Sequence, residues 1–174
     1  MAKPSRPSDP QSSKGQLRTF FTSTRTYRGL SLLQTERMAN LLIDVLRTYT
    51  LAGKFRVHDF VVMREHLHLL FTVDNEMTVE KAMQLVKGNF SFRAKRELGY
   101  TREIWQRGFS DVRITDEDSF RAHQEYIWEN PVKAGLAKSA EAYPYSSAYF
   151  KKKKTAGAKA QTQKAPDGTT KVVP

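Results

Sequence analysis

The amino-acid sequence predicts an α+β fold: one antiparallel β-sheet with helices packed on it, followed by an additional helix. Two observations predict this class. Runs of β-forming residues and segments with helical apolar spacing follow one another in the order β-α-β-β-α-β. The two central β-rich runs, 55–63 and 66–73, are separated by two residues, the length of a tight hairpin connection, so we expect them to pair antiparallel. A chain of 174 residues has room for one such domain.

The first half of the chain supplies a strand and a helix before this hairpin. Residues 17–24 have the composition of a strand. Residues 35–52 place apolar side chains three and four positions apart, and Gly53 follows as a helix stop. The apolar positions of this predicted helix are Met38, Leu41, Leu42, Val45, Leu46 and Tyr49.

The second half repeats the order of helix and strand and then adds one more helix. A helix is predicted at 79–98, and a short strand at 111–114. The last helix is expected from residue 116 to about residue 130, with Pro131 ending it, because the residue before a proline is disfavoured in the helical region. The βαββαβ order is that of the ferredoxin-like fold. Since this fold hosts many functions, the function has to be argued from particular side chains.

Composition excludes several kinds of site. The chain has no cysteine, which excludes disulfide scaffolds, thiolate nucleophiles and cysteine-ligated metals. No apolar run approaches the roughly 18 residues of a membrane span, so no membrane partner is expected. The first sixteen residues are polar and resemble no secretory signal, and we therefore expect a cytoplasmic protein.

Charge and composition divide the chain into three parts. The formal net charge is +11, and residues 151–174 alone hold seven lysines and one aspartate. Residues 1–16 and 151–174 lack apolar periodicity, so both are predicted to be disordered on either side of one domain at 17–150. Two interpretations of the basic tail stay open: it binds a polyanion such as nucleic acid, or it is a solvated tail that keeps the protein in solution.

Two histidines in the third strand suggest a metal site. His66 and His68 are separated by one residue, and because strand side chains alternate, both imidazoles project from the same face. Neutral imidazole nitrogens are good ligands for transition metals. Two histidines on one face of a half-exposed strand are often simply polar surface residues, so the interpretation as a metal site needs a third partner.

The last helix offers such a partner. Tyr126 and Asn130 are four residues apart and so share one helix face, with His123 beside them. A tyrosine hydroxyl becomes an effective nucleophile when a metal polarises the phosphate that it attacks or a base removes its proton, and the Asn130 carbonyl oxygen is a further candidate ligand. The alternative is that Tyr126, Trp128 and Phe120 are core aromatics.

Three sequence motifs, two of which contain the histidine pair and Tyr126, carry a resemblance to a known family. They are MREHLHLL at 63–70, WQRGF at 105–109 and YIWENPVKAGL at 126–136. In this order they resemble the REP-associated tyrosine transposases, a group of single-tyrosine HUH transposases, over about residues 17–149. The combination of three motifs is much more specific than any one of them.

The resemblance implies a chemistry and assigns roles to four residues. It implies that His66, His68 and Asn130 hold a divalent metal, Mg²⁺ or Mn²⁺, and that Tyr126 attacks a phosphate of single-stranded DNA. It further implies a covalent 5′-phosphotyrosine, a free 3′-OH and rejoining by the reverse attack. The implied substrate is hairpin DNA of the repeated extragenic palindrome type, with a short single-stranded flank.

Three parts of the motifs depart from the family pattern. Arg64 and Glu65 stand where Pro-Asn commonly precedes the histidine pair, which alters the turn and leaves the ligands. Val112 stands where a histidine often follows the aspartate of the fourth strand. Asn130 is shorter than the glutamine of insertion-sequence relatives, which favours a less direct or water-mediated contact with the metal.

Basic and aromatic side chains are the candidates for holding single-stranded DNA, since such proteins combine a positive track with stacking surfaces. Ordinary solvated charge is the alternative for every basic residue among them. For Trp105 and its neighbour Phe109 the alternative, favoured for at least one of the two, is a loop anchor packed under the sheet. The candidates are Lys81, Lys87, Arg93, Lys95, Arg96, Trp105, Arg107, Arg113 and Lys133.

Two other functions are weighed against a DNA-nicking and rejoining enzyme. One is a catalytically silent DNA-binding protein of the same fold, and the other is a histidine-ligated hydrolase of a small phosphorylated substrate, which would need an enclosed pocket. We expect a monomer in which Tyr126 acts on the histidines of its own chain. A homodimer that exchanges the tyrosine helix is the alternative.

Overall fold

The computed structural model describes residues 16–162, which form four strands and four helices with three short 3₁₀ turns between them. The strands are β1 (Arg18–Arg25), β2 (Arg56–Val62), β3 (His66–Val73) and β4 (Ser110–Ile114). The helices are α1 (Glu36–Leu51), α2 (Val79–Leu98), α3 (Glu117–Lys133) and α4 (Ser147–Thr162). Within the described residues, none of these helices is long and apolar enough to cross a membrane.

The four strands form one antiparallel sheet in the order β2-β3-β1-β4. With α1 between β1 and β2 and α2 between β3 and β4, this is the βαββαβ arrangement. The predicted ferredoxin-like fold with an additional helix that carries Tyr126 is confirmed.

Local signals in the sequence account for the helix ends. The side-chain oxygens of Thr35, Thr78 and Asp116 accept hydrogen bonds from the backbone N–H three residues on and so cap α1, α2 and α3. Gly99 ends α2 with a φ of 69°, a left-handed conformation that glycine adopts without a steric penalty.

The alternation of side chains along β3 separates the two faces of the sheet. Leu67, Leu69 and Phe71 belong to the larger hydrophobic core, which α1 and α2 cover. Leu70 belongs to a second cluster on the other face, together with Ile127 of α3. The histidines have the parity of Leu70, so they lie on the face that α3 covers.

The prediction that Pro131 ends the last helix is wrong, because α3 continues to Lys133 with Pro131 inside it. Proline costs this helix one backbone hydrogen bond. Pro131 is nevertheless buried, and the Ala134 and Leu136 N–H groups donate to the carbonyls of Asn130 and Pro131. Burial and these bonds past the proline maintain the helical turn.

The predicted disordered tail also requires a correction at its start. Helix α4 continues without interruption past residue 150 to Thr162, so residues 151–162 are helical. The Lys151 ammonium lies 2.8 Å from the buried Asp59 carboxylate, and this ion pair ties the start of the lysine run to the sheet. Residues 1–15 and 163–174, the rest of the two predicted tails, lie outside the described residues.

Candidate active site

The histidine pair lies on the central strand β3, next to the end of β1. His66 is opposite Arg25 and His68 is opposite Ser23 in the antiparallel register. The two imidazole rings are 4.6 Å apart between centroids and nearly perpendicular. The predicted convergence of the two imidazoles on one face is therefore present.

His68 has a buried ring nitrogen without a partner. The residue is 5% exposed, and its Nδ1 is buried with no hydrogen-bond partner. Burial, followed by the charges of His66 and Arg25, lowers the pKa of His68 from 6.5 to about 3. The ring is thus neutral at physiological pH, the form in which an imidazole binds a metal.

His66 is oriented by its neighbour Glu65. The His66 Nδ1 lies 3.1 Å from Glu65 Oε1, and because an ionised carboxylate can only accept, the imidazole donates this hydrogen bond. The lone pair of the neutral ring is then on Nε2. A carboxylate that orients a histidine in this way is a common outer partner of metal-binding imidazoles. In the sequence, Glu65 is only a departure from the family pattern, and its contact with His66 becomes visible in the fold.

Tyr126 of α3 faces the histidine pair of its own chain. Its ring centroid is 5.1 Å from that of His68, and the two rings meet edge to face. Phe21 of β1 contacts both rings and also the imidazole of His123, at centroid distances between 4.7 and 5.8 Å. Tyr126 is 46% exposed. Trp128 and Phe120 pack against the second cluster, as the alternative of core aromatics predicts. Tyr126 does not, because nearly half of it is exposed.

Asn130 lies one turn beyond Tyr126 on the same helix. Its amide nitrogen is 3.5 Å from the Tyr126 carbonyl oxygen, which is the limit of a hydrogen bond. The structure thus brings His66, His68 and Tyr126 together and leaves Asn130 hydrogen-bonded to its own helix.

The donor set fits a divalent cation. The unpartnered Nδ1 of His68 and the Nε2 of His66 would be two nitrogen donors on one face of the sheet. In the part of the chain that the structure describes, no cluster of three or more His, Asp or Glu side chains supplies a complete ligand set. Amide, water or substrate oxygens would have to complete the coordination.

Trp105 does not fit the predicted role in base stacking. It is 7% exposed, its ring contacts Phe90 of α2 at a centroid distance of 5.5 Å, and its indole N–H donates to the Lys87 carbonyl oxygen. Its face is therefore covered by the protein itself. Trp105 anchors the 105–109 loop against the larger core.

Several of the predicted DNA-binding cations have partners within the protein, among them three residues of helix α2. Lys87 Nζ donates to the backbone carbonyls of Gln106 and Gly108, and burial lowers its pKa, so it supports the same loop. Arg93 pairs with Asp44 and Glu97, and Arg96 also pairs with Glu97.

The other predicted cations are exposed but lie on different sides of the molecule. Helix α2, which carries Lys81 and Lys95, packs on the face of the sheet opposite the histidines. Arg107 lines clefts beside β1 together with Arg25. Arg25 is not among the DNA-binding candidates predicted from the sequence. Lys133 is paired with Glu129 of its own helix, and Arg113 is on the edge strand β4.

An antiparallel ferredoxin-like sheet that presents two imidazoles to an exposed tyrosine of an added helix defines the class of single-tyrosine HUH enzymes, which nick and rejoin DNA. The chain belongs to the IS200-like transposase family, whose model matches residues 17–130. Enzymes of this family are generally metal-dependent.

Two curated relatives agree with this family. The chain is 28% identical over 131 residues to the REP-associated tyrosine transposase of Escherichia coli (strain K12), covering 74% of each chain. It is 29% identical over 147 residues to a putative REP-associated tyrosine transposase of Haemophilus influenzae (strain ATCC 51907 / DSM 11121 / KW20 / Rd), covering 75% of this chain and 83% of the relative. The resemblance found in the sequence motifs is thus confirmed.

A solved structure shares the fold. It is a REP-associated tyrosine transposase bound to a REP hairpin, with a TM-score of 0.65, 24% sequence identity and complete coverage of both chains. This likeness supports the ferredoxin-like architecture described above.

Proposed function

We propose that this chain nicks and rejoins single-stranded DNA through a covalent bond to Tyr126, with a divalent cation, Mg²⁺ or Mn²⁺, held by His66 and His68. One observation carries the proposal: the exposed Tyr126 ring lies 5.1 Å from the ring of His68, whose buried Nδ1 has no partner. A nucleophile and a pair of ligands are thus assembled within one chain.

The proposed step exchanges one phosphodiester for another. The Tyr126 phenolic oxygen attacks phosphorus, a tyrosine–phosphate bond forms, and the bond from phosphorus to the 3′ oxygen breaks. The phenolic proton leaves, and the departing 3′ oxygen takes up a proton to become a free 3′-OH. Attack of a 3′-OH on the 5′-phosphotyrosine reverses the step, so rejoining needs neither water nor a nucleotide cofactor.

The protein's own residues orient the reactants. A divalent cation bound here would polarise the phosphate and stabilise the charge that develops on it. His66 and His68 would hold this cation, and Asn130 would contribute its amide oxygen directly or through water. Phe21 packs against both the Tyr126 and His68 rings and keeps them at a fixed separation.

We propose hairpin DNA with a single-stranded flank as the substrate. The related solved structure holds a REP hairpin, and a half-exposed Tyr126 can reach the backbone of a macromolecule. These observations favour DNA over the small phosphorylated substrate that an enclosed pocket would bind. Arg107, Arg113, Lys133 and the exposed lysines of α2 stay candidates for phosphate contacts.

A covalent-adduct assay tests the proposal. Native protein, Tyr126→Phe and the matched control Tyr100→Phe are incubated with a labelled hairpin oligonucleotide and Mn²⁺ and separated on denaturing gels. We expect adducts with the native and Tyr100→Phe proteins and none with Tyr126→Phe. Hairpin affinity should be nearly unchanged in all three, because a single hydroxyl is removed.

The same assay separates the catalytically silent alternative. A native protein that binds the hairpin and forms no adduct would show a DNA-binding protein without turnover. Persistent nicking by Tyr126→Phe would refute the assignment of the nucleophile.

A further inference from the structure

A fully buried carboxylate lies under the helix that carries Tyr126. Asp59 of β2 has no exposed surface and follows an irregularity in the β2–β3 register. Its two oxygens accept hydrogen bonds from side chains of both C-terminal helices, α3 and α4. The donors are Gln124 Nε2 at 2.7 Å, Trp128 Nε1 at 2.8 Å, Ser147 Oγ at 2.6 Å and Lys151 Nζ at 2.8 Å.

These hydrogen bonds are directional, and an apolar residue at this position could not make them. A carboxylate loses much hydration when it is buried, and an apolar side chain of similar volume would avoid this loss. The Asp59 charge is offset by Lys151, and its lone pairs are occupied by donors whose positions are set by two helices. The carboxylate therefore specifies how α3 and α4 lie on the sheet.

The helical geometry relates this contact to the nucleophile. Successive residues of an α-helix are about 100° apart around its axis, so Tyr126 points roughly 200° away from Gln124. Gln124 and Trp128 contact Asp59 on the β2 side, while Tyr126 faces Phe21 and the histidines of the central strands. Rotation of α3 about its axis would break the bonds on one flank and displace the tyrosine on the other.

We propose that Asp59 is a positioning residue for the nucleophile: it sets the rotation and seating of α3 so that Tyr126 faces His66 and His68 of its own chain. Ser147 and Lys151 make the same carboxylate a link between α4 and the tyrosine helix. This inference rests on the proposed role of Tyr126.

A mild variant tests the inference without emptying the buried site. Gln124→Met removes one donor to Asp59 at similar volume, and Glu125→Met on the exposed face of the same helix is the matched control. We expect the single-turnover cleavage rate of Gln124→Met to fall roughly tenfold, less than the about 100-fold that a 1 Å displacement can cost. Hairpin affinity should stay unchanged, because the nucleophile is displaced and the DNA-binding surface is not. Glu125→Met should cleave at the native rate.

Removal of the carboxylate provides a stronger test with a structural readout. We expect Asp59→Ala to lose about 100-fold in cleavage rate. Asp59→Asn keeps Oδ1, the one oxygen that accepts from both Trp128 and Ser147, and should recover part of that loss. Because the chain has no cysteine, spin labels at Glu125→Cys and Lys54→Cys report the distance from α3 to the start of β2. The distribution of this distance should be narrow when Asp59 is present. In Asp59→Ala the distribution should broaden or its centre should shift.

The outcomes distinguish positioning from general stability. Asp44→Ala breaks the ion pair with Arg93 on the other face of the sheet and should leave the cleavage rate unchanged. The inference is overturned if Asp44→Ala slows cleavage as much as Asp59→Ala, or if Gln124→Met cleaves as fast as Glu125→Met. It is also overturned if the spin-label distance is the same with and without Asp59. A native protein that forms no adduct would instead refute the proposed function.

Discussion

At the scale of single residues, the contact between Glu65 and His66 shows how a half-buried carboxylate can orient an imidazole of the candidate site. The Glu65 carboxylate accepts a hydrogen bond from the Nδ1–H of His66 at 3.1 Å, while the Nδ1 of His68 has no partner. The two imidazoles would therefore meet a cation differently: the hydrogen bond to Glu65 orients His66, and burial is the main cause that keeps His68 neutral.

A metal-binding measurement tests the role of Glu65. We expect Glu65→Ala to weaken Mn²⁺ binding by about 10- to 100-fold, the usual cost of losing an outer partner of a histidine ligand. Titration calorimetry without DNA measures this affinity, with Glu36→Ala at the start of α1 as the control. Equal Mn²⁺ affinity of the native and Glu65→Ala proteins would contradict the role of Glu65.

At the scale of secondary-structure elements, a tyrosine hydroxyl contributes to holding the segment between α3 and α4 against the sheet. The Tyr143 hydroxyl donates to the carbonyl oxygen of Val62, the last residue of β2, at 2.9 Å. Burial, followed by the neighbouring Tyr145, raises the pKa of Tyr143 from 10.0 to about 12. The folded protein thus binds the phenolic proton more tightly than the unfolded chain does.

This shift predicts a loss of stability at high pH. The contribution of Tyr143 to the free energy of unfolding is complete below pH 10 and is lost as the pH rises through about 10 to 12. Urea unfolding between pH 8 and about pH 11 compares native protein with Tyr143→Phe, which has no phenolic proton. We expect the difference in stability between them to shrink with rising pH, and a constant difference would contradict the shift.

At the scale of the whole molecule, one chain contains every group of the candidate site. The loop after β4 leads directly into α3, and α3 lies across its own sheet through Ile127 and the Asp59 contacts. The Tyr126 ring is consequently next to the histidines of the same chain. This arrangement supports the proposal of a monomer that acts in cis.

A mixing experiment tests action in cis. One variant carries His66→Ala and His68→Ala, the other carries Tyr126→Phe, and each is expected to form no adduct alone. If the tyrosine acts only on its own histidines, the mixture should stay inactive, and native protein mixed with Tyr126→Phe should keep activity in proportion to its share. Restored adduct formation in the first mixture would show exchange of the tyrosine helix between subunits.

Much of the fold could be predicted because its signals are local. Apolar periodicity, the cap residues Thr35 and Thr78, and the two-residue spacing before His66 all act within a few residues. Where prediction failed, distant contacts outweighed a local rule. Pro131 lies inside α3, where it is buried, and Lys151 lies in a helix and pairs with Asp59, 92 positions earlier.

The sequence by itself determined the strand and helix order, the shared face of His66 and His68, and, through its motifs, the family. Only the tertiary structure decided that Tyr126 meets those histidines within one chain, that Trp105 is covered and that Asp59 holds the tyrosine helix. The physical reason is that periodicity is a property of neighbouring residues. Burial, ring contacts and the pairing of a buried charge depend on segments that only folding brings together.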